Sequence, residues 1–183
     1  IWAGGAEYTE GRVRFVANMP TEEVYTLPKR DGVNGTVAAT KPLNYNGNLI
    51  DGFRITFKDG KAVDCSAEKG EALLREMLAT DEGAAYLGEV ALVPYDSPIS
   101  QSGILFYNTL FDENAACHLA FGKAYPTCLN GGEDMQSVEL VQHGANDSLI
   151  HEDFMVGSRD LSIVGTTHED RKIPVFQNGN FVF

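Results

Sequence analysis

Glu89-Val-Ala-Leu-Val-Pro94 is the stretch that most restricts how this chain can fold. Four consecutive apolar residues ending at a proline read as a buried strand. Yet a carboxylate opens the run. Carrying a charged carboxylate into a buried strand costs on the order of several kcal/mol unless it is paired, hydrogen-bonded or metal-bound. A fold that accepts this strand has to supply Glu89 with such a partner.

Candidates are scattered along the chain. Glu23, Glu113, His118, His151 and Asp153 each sit in an otherwise apolar or turn-like stretch. With Glu89 they make four carboxylates and two imidazoles, the donor types that a pair of hard-to-borderline divalent ions takes. That set points to a co-catalytic metallohydrolase. The formal charge of −12 agrees, because it suits a cationic ligand and repels nucleic acid phosphates. No run approaches the roughly 18 apolar residues of a membrane span. Cys65, Cys117 and Cys128 are an odd number without paired spacing, which reads as free thiols in a reducing cytosol. At 183 residues the chain is one domain by length. It starts Ile1-Trp2-Ala3-Gly4-Gly5, with no methionine, basic region or signal-peptide core, and so reads as the continuation of a longer protein.

The pattern is mostly β. Arg12 to Ala17 alternates as a strand, and Asn34-Gly35 predicts a tight turn. Leu49 to Phe57 reads as one strand, turned by Lys58-Asp59-Gly60 into Lys61 to Cys65. Lys69 to Ala79 is the clearest helix, with Leu73, Leu74, Met77 and Leu78 as its apolar stripe. Short helices are expected over Asp81 to Leu87 and Asn114 to Phe121. Strands return at Ser148 to Val156 and Leu161 to Thr166, and Asn178-Gly179 closes a last hairpin. The fold class expected is α+β, with a curved, mostly antiparallel or mixed sheet, barrel-like closure being one form it could take, and a few helices.

On these elements His151 and Asp153 share one strand face and could serve one ion. Glu113 and His118, placed on a helix, would be separated by about 140° of rotation. Tyr125 follows with a phenol able to donate to a developing oxyanion. Each residue also has a structural reading. Glu22-Glu23 could be solvated turn charge, Asp112-Glu113-Asn114 could simply open a helix, and His151 could be a core histidine. His168-Glu-Asp170 repeats the order of His151-Glu-Asp153, and spacing alone does not choose between them, although His168 lies in a more polar context. Cys117-His118 does not form a nucleophile–base pair, because neighbours on a helix point about 100° apart.

Four segments go further. Asn18 to Thr26, Leu87 to Pro94, Leu110 to His118 and Ser148 to Gly157 resemble, in order and interval, the metalloaminopeptidases typified by AmpS, AmpT and PepS. The resemblance implies a C-terminal catalytic domain holding two divalent ions (zinc, cobalt or manganese). It makes Glu23, Glu89, His118, His151 and Asp153 ligands and puts Glu113 at an acidic position facing the metals. It puts Tyr125 at the catalytic tyrosine and selects His151 over His168. It implies a peptide substrate with a free N-terminus, a homodimer in the full-length protein, and an N-terminal domain outside this sequence. A metal-activated water would attack the scissile carbonyl, and Glu89 or Glu113 would move the proton to the leaving amine. Two other classes stand beside the enzyme: a non-catalytic metal- or peptide-binding module, and a structural domain whose acids are surface charge.

Overall fold

A computed structural model describes residues 1–16 and 21–183. Ala17, which ends one expected strand, and Asn18, Met19 and Pro20, which open the first matched segment, lie outside the described residues.

The centre is a four-stranded antiparallel sheet, ordered His151–Met155, His118–Gly122, Leu87–Leu92, Val24–Thr26. Its register explains its two faces. Glu89 pairs with Ala120, and Ala120 with Asp153, so these three share one face. His118 and His151 lie two residues before Ala120 and Asp153, on that same side. The opposite face carries Leu119, Phe121 and Phe154, and Phe121 stacks on Phe154 at 4.7 Å between ring centres.

One irregularity makes this division possible. Leu87 and Glu89 are two apart and would ordinarily share a face, yet Leu87 packs in the core beside Phe121. The register shifts there: Glu89 pairs with Ala120, and Leu87 with the next residue, Phe121. Gly88 is the extra residue of a β-bulge. A Cβ on Gly88 would lie 2.3 Å from the Lys123 carbonyl oxygen and 2.4 Å from that of Gly122, so the bulge demands glycine.

A second sheet, Gly35–Ala38, Arg54–Lys58 and Lys61–Ser66, backs the aromatic face. Phe53, Ile55, Phe57, Leu74, Met77, Phe121 and Phe154 form the main core. The helix Glu71–Leu78 closes it with Leu74 and Met77, and Arg75 donates to the Cys65 carbonyl at 2.6 Å. A C-terminal sheet, Ile163–Thr166, Lys172–Gln177 and Asn180–Phe181, packs a smaller cluster around Phe176. Two short ribbons, Glu7–Tyr8 with Arg14–Phe15 and Leu43–Tyr45 with Asn48–Ile50, complete the sheets. The α+β class is borne out, and the sheets are antiparallel. Barrel closure is not, since no sheet closes on itself among the described residues.

Local expectations fare unevenly. The Asp59-Gly60 and Asn178-Gly179 hairpins form as read, with all four residues at positive φ and Lys58 paired to Lys61. Asn34-Gly35 makes no hairpin turn: Gly35 opens a strand, and Asn34 accepts the Asp59 N–H. Leu49 to Phe57 is two strands, Asn48–Ile50 and Arg54–Lys58, broken at Asp51-Gly52. Asp81 to Ala85 forms bends and a turn and Leu87 already opens a strand, so no helix forms there; the Asp81 carboxylate accepts the N–H groups of Ala84 and Leu149. The helix over Asn114 to Phe121 is overturned as well. An α-turn, Thr109–Asp112, and a 3₁₀ turn, Glu113–Ala115, end at an extended Ala116, and His118–Gly122 is a strand.

Candidate metal centre

The strand at His118 changes the geometry of the site. On a helix, Glu113 and His118 would have diverged; here the turn carrying Glu113 folds over the sheet face that presents His118. Cys117 points to the opposite face, where its thiol donates to the Val93 carbonyl and accepts from the Val93 N–H, both at 3.3 Å. The thiol–imidazole pair therefore fails because strand neighbours face opposite ways, rather than because of helical rotation.

All six candidate ligands converge. Three groups have ligand atoms within 4.8 Å of one another: Glu23, Glu89 and His118; Glu89, His151 and Asp153; and Glu113, His118 and Asp153. Glu89 stands at the middle. Its Oε1 lies 3.4 Å from His118 Nε2, and its Oε2 lies 3.7 Å from His151 Nε2. His118 Nε2 is also 3.0 Å from Glu23 Oε2, and His151 Nε2 is 3.5 Å from Asp153 Oδ1. Donors about 2.1 Å from a shared tetrahedral ion sit roughly 3.4 Å apart, so this spacing matches a divalent cation. Ala91 and Ala120, on the same face, leave room between the charged side chains.

The histidines are prepared for that task. His118 Nδ1 is 3.1 Å from the Ala116 carbonyl, and His151 Nδ1 is 2.7 Å from that of Lys123. Each Nδ1–H donates to backbone, which leaves the Nε2 lone pair facing the carboxylates. Although His118 Nε2 and Glu23 Oε2 approach to 3.0 Å, they are not aligned, and both are buried with no hydrogen-bond partner. An imidazole nitrogen and a carboxylate oxygen left this way in a buried cluster are what a bound cation would satisfy. The residues fit a divalent cation.

Without metal, protons take up the negative charge. Burial opposes a charged His118, but Glu23 and Glu89 outweigh it and raise its pKa well above 6.5. Burial likewise opposes a charged His151, yet Asp153 and the Lys123 carbonyl carry its pKa to about 9. Glu113 rises to about 8, through burial and the nearby Asp153 and Glu23 carboxylates. Glu89 is also raised, chiefly by burial. Asp153 moves down in spite of its burial, held by His151 and His118.

The cluster floors a cavity of about 850 Å³ whose walls include Trp2, Tyr8, Leu110 and Glu133. Tyr125 stands on its wall, with its ring centre 4.6 Å from that of His151. Burial, then Glu89 and Asp153, push its pKa above the usual 10.0, so the phenol keeps its proton as a donor. His168 lies apart, exposed in a turn.

Sequence reasoning passed over three residues here. Tyr25 shares the sheet face with Glu89 through its pairing with Ala91 and lines the cavity beside Tyr125. The alternation Glu23-Val-Tyr25 carried that signal. Gly88 gave none before its bulge was known. Asn114, 1% exposed, gave none either, since its role depends on a segment far away in sequence.

Aminopeptidase 2 of Geobacillus stearothermophilus is 60% identical over 183 residues, covering all of this chain and 44% of the relative. Aminopeptidase AmpS of Bacillus subtilis is 58% identical over 183 residues, with 45% of its length covered. The solved structure of wild-type AmpT from Thermus thermophilus superposes with a TM-score of 0.93 at 46% identity, covering 100% of this chain and 45% of that one. The chain thus spans less than half the length of these relatives. The family model described as thermophilic metalloprotease (M29) matches residues 1–181, and the chain belongs to that family.

Proposed function

We propose that residues 1–183 are the C-terminal catalytic domain of a longer, two-domain, metal-dependent aminopeptidase, which removes N-terminal residues from peptides. The observation that carries this reading is the pair of buried atoms, His118 Nε2 and Glu23 Oε2, which face each other at 3.0 Å without a hydrogen bond, inside a converged set of four carboxylates and two histidines. The names of the relatives, all aminopeptidases, support the reaction class.

Glu23, Glu89 and His118 would hold one ion, and Glu89, His151 and Asp153 the other, with Glu89 between them and Glu113 beside both. Zinc, cobalt and manganese all suit this oxygen and nitrogen set. When bound, such ions lower the pKa of water toward neutrality and polarise a carbonyl. The remaining steps belong to the chain's own residues. Tyr125 donates its phenolic hydrogen to the oxyanion as the scissile carbonyl becomes tetrahedral. Glu113, beside the cluster, takes a proton at its carboxylate and passes it to the leaving amine, with Glu89 as the alternative carrier. The anionic floor holds the substrate's free α-amine and so fixes cleavage at the N-terminal bond.

A peptide with a free N-terminus is thus the partner we propose, in a cytoplasmic homodimer of the full-length protein that engages neither nucleic acid nor membrane. The charge of −12 and the three buried free cysteines favour that setting. Among the described residues no helix is long and apolar enough to cross a membrane.

Full-length protein should release N-terminal residues, lose that activity to a chelator, and regain it with cobalt, zinc or manganese. Equal cleavage of N-acetylated peptides would remove the exopeptidase assignment. Two ions bound with no turnover would favour the non-catalytic binding module.

A further inference from the structure

Glu23 differs from most of its companions in how its backbone is held. Glu89, His118, His151 and Asp153 lie inside paired strands, whereas the edge strand begins only at Val24. Just ahead of Glu23 the chain is fastened by a side chain: Asn114 Oδ1 accepts the Glu22 N–H at 2.7 Å, across 92 residues of sequence. Asn114 is 1% exposed and otherwise tied to its own surroundings. Its Nδ2 donates to the Leu110 carbonyl at 3.2 Å, and its own carbonyl accepts the Ser97 hydroxyl at 3.1 Å. It follows Glu113 directly, in the turn that leads to the His118 strand. One buried amide thus locks the segment bearing Glu23 to the segment bearing Glu113 and His118. A neutral acceptor does so without adding a fifth negative charge beside four carboxylates.

We infer that Asn114 is a positioning residue that holds Glu23 against His118 and thereby sets the affinity of the Glu23, Glu89 and His118 group for a divalent ion. This rests on the proposal above that Glu23 is a ligand. The bond is part-buried, and Asn114 belongs neither to the candidate ligand groups nor to the cavity lining. Partners that orient ligands in this way typically change metal affinity by about 10–100-fold when removed.

The test titrates chelator-treated full-length protein with manganese alone by calorimetry, with thermal unfolding of the metal-free protein followed in parallel. N114A should weaken one of the two ions by about 10–100-fold and leave the other near its parental affinity. N114D, whose buried carboxyl keeps its proton beside four carboxylates and so adds no charge, still offers an oxygen to the Glu22 N–H and an O–H to the Leu110 carbonyl, and should bind both ions close to parental strength. In an E23Q background N114A should add no further loss, because the ligand it positions is already gone. Parental affinity in N114A overturns the inference, as does an undiminished further loss in the E23Q background. If N114A does not fold, N114D decides: parental binding supports the inference, and weakening as large as that of E23Q overturns it. E23Q with parental binding would instead remove Glu23 from the ligand set, whereas E23Q weakened and N114A unchanged defeats only the role given to Asn114.

Discussion

The two faces of the central sheet are built from the same strands and obey opposite rules. Behind it, Leu119, Phe121 and Phe154 pack against Phe53, Ile55 and Phe57, and burial stabilises the fold by roughly 1.5–3 kcal/mol for each large side chain. In front, Glu89, His118 and Asp153 are just as buried, and burial works against them. The aromatic face holds the backbone in one register, and that register brings the charged groups within 3.0–3.7 Å of one another. A rigid, favourable face thus keeps an unfavourable one assembled. The Gly88 bulge is the hinge of this division, sending Leu87 one way and Glu89 the other.

The sharpest way to break the comparison is from the front. His151→Ala should abolish most activity and remove bound metal, while the metal-free fold survives. Metal analysis and thermal unfolding on the same sample check this. The exposed His168→Ala is the control and should stay within about ±0.5 kcal/mol of the parent with activity intact. The reverse pattern would reassign the site.

Cutting the rear face should give the opposite signature. Phe121→Ala should cost about 3–5 kcal/mol of stability, read by denaturant unfolding, because it empties the stack between Phe57 and Phe154. Metal and activity should fall only as the protein unfolds. A stable Phe121→Ala protein that has lost metal would mean the two faces are not separable as described.

Tyr125→Phe sharpens the front further. It keeps the ring beside His151 and removes only the hydroxyl, so metal content should not change, whereas kcat should fall by roughly 10²–10³, about 2.7–4 kcal/mol. Full metal with near-parental kcat would leave the ions alone to hold the oxyanion.

The smallest effect is a pH dependence confined to the front. In the metal-free protein the pKa values of Glu113 and His151 are raised, from 4.5 to about 8 and from 6.5 to about 9, and that of His118 rises as well. Groups raised on folding add stability that is complete below their unfolded values and is lost as pH rises through the folded ones. Asp153, lowered on folding, acts in the reverse sense, but only under acid conditions. The unfolding temperature of metal-free protein should therefore fall from about pH 4.5, where Glu113 begins to count, to about pH 9, most steeply above pH 6.5, where His151 adds to it. Metal binding should release protons in that range, measurable by calorimetry in buffers of different ionisation enthalpy. A flat profile with no proton release would show that the cluster is not protonated as described.

The asymmetry between the faces also explains what could be read in advance. The six acidic and imidazole candidates were visible because charge in apolar surroundings demands a partner wherever it falls. The Asp59-Gly60 and Asn178-Gly179 turns were visible because two positive-φ residues in succession are a local requirement. Asn34-Gly35 misled because its side chain serves Asp59, a contact no local pattern contains. Asn114 to Phe121 misled because alanine and leucine favour helices locally, while Leu119 and Phe121 are drawn into a sheet by a core made mostly of distant residues.

The sequence alone determined the chemistry available: which donors exist, how much negative charge they bring, and where short turns must fall, all properties of single residues and their near neighbours. The tertiary structure decided which donors meet, on which face each strand presents them, and that Gly88, Tyr25 and Asn114 belong to the site. Those outcomes depend on pairings such as Glu89 with Ala120 and Glu22 with Asn114, and such contacts form only once the hydrophobic core has fixed the register between segments far apart in the chain.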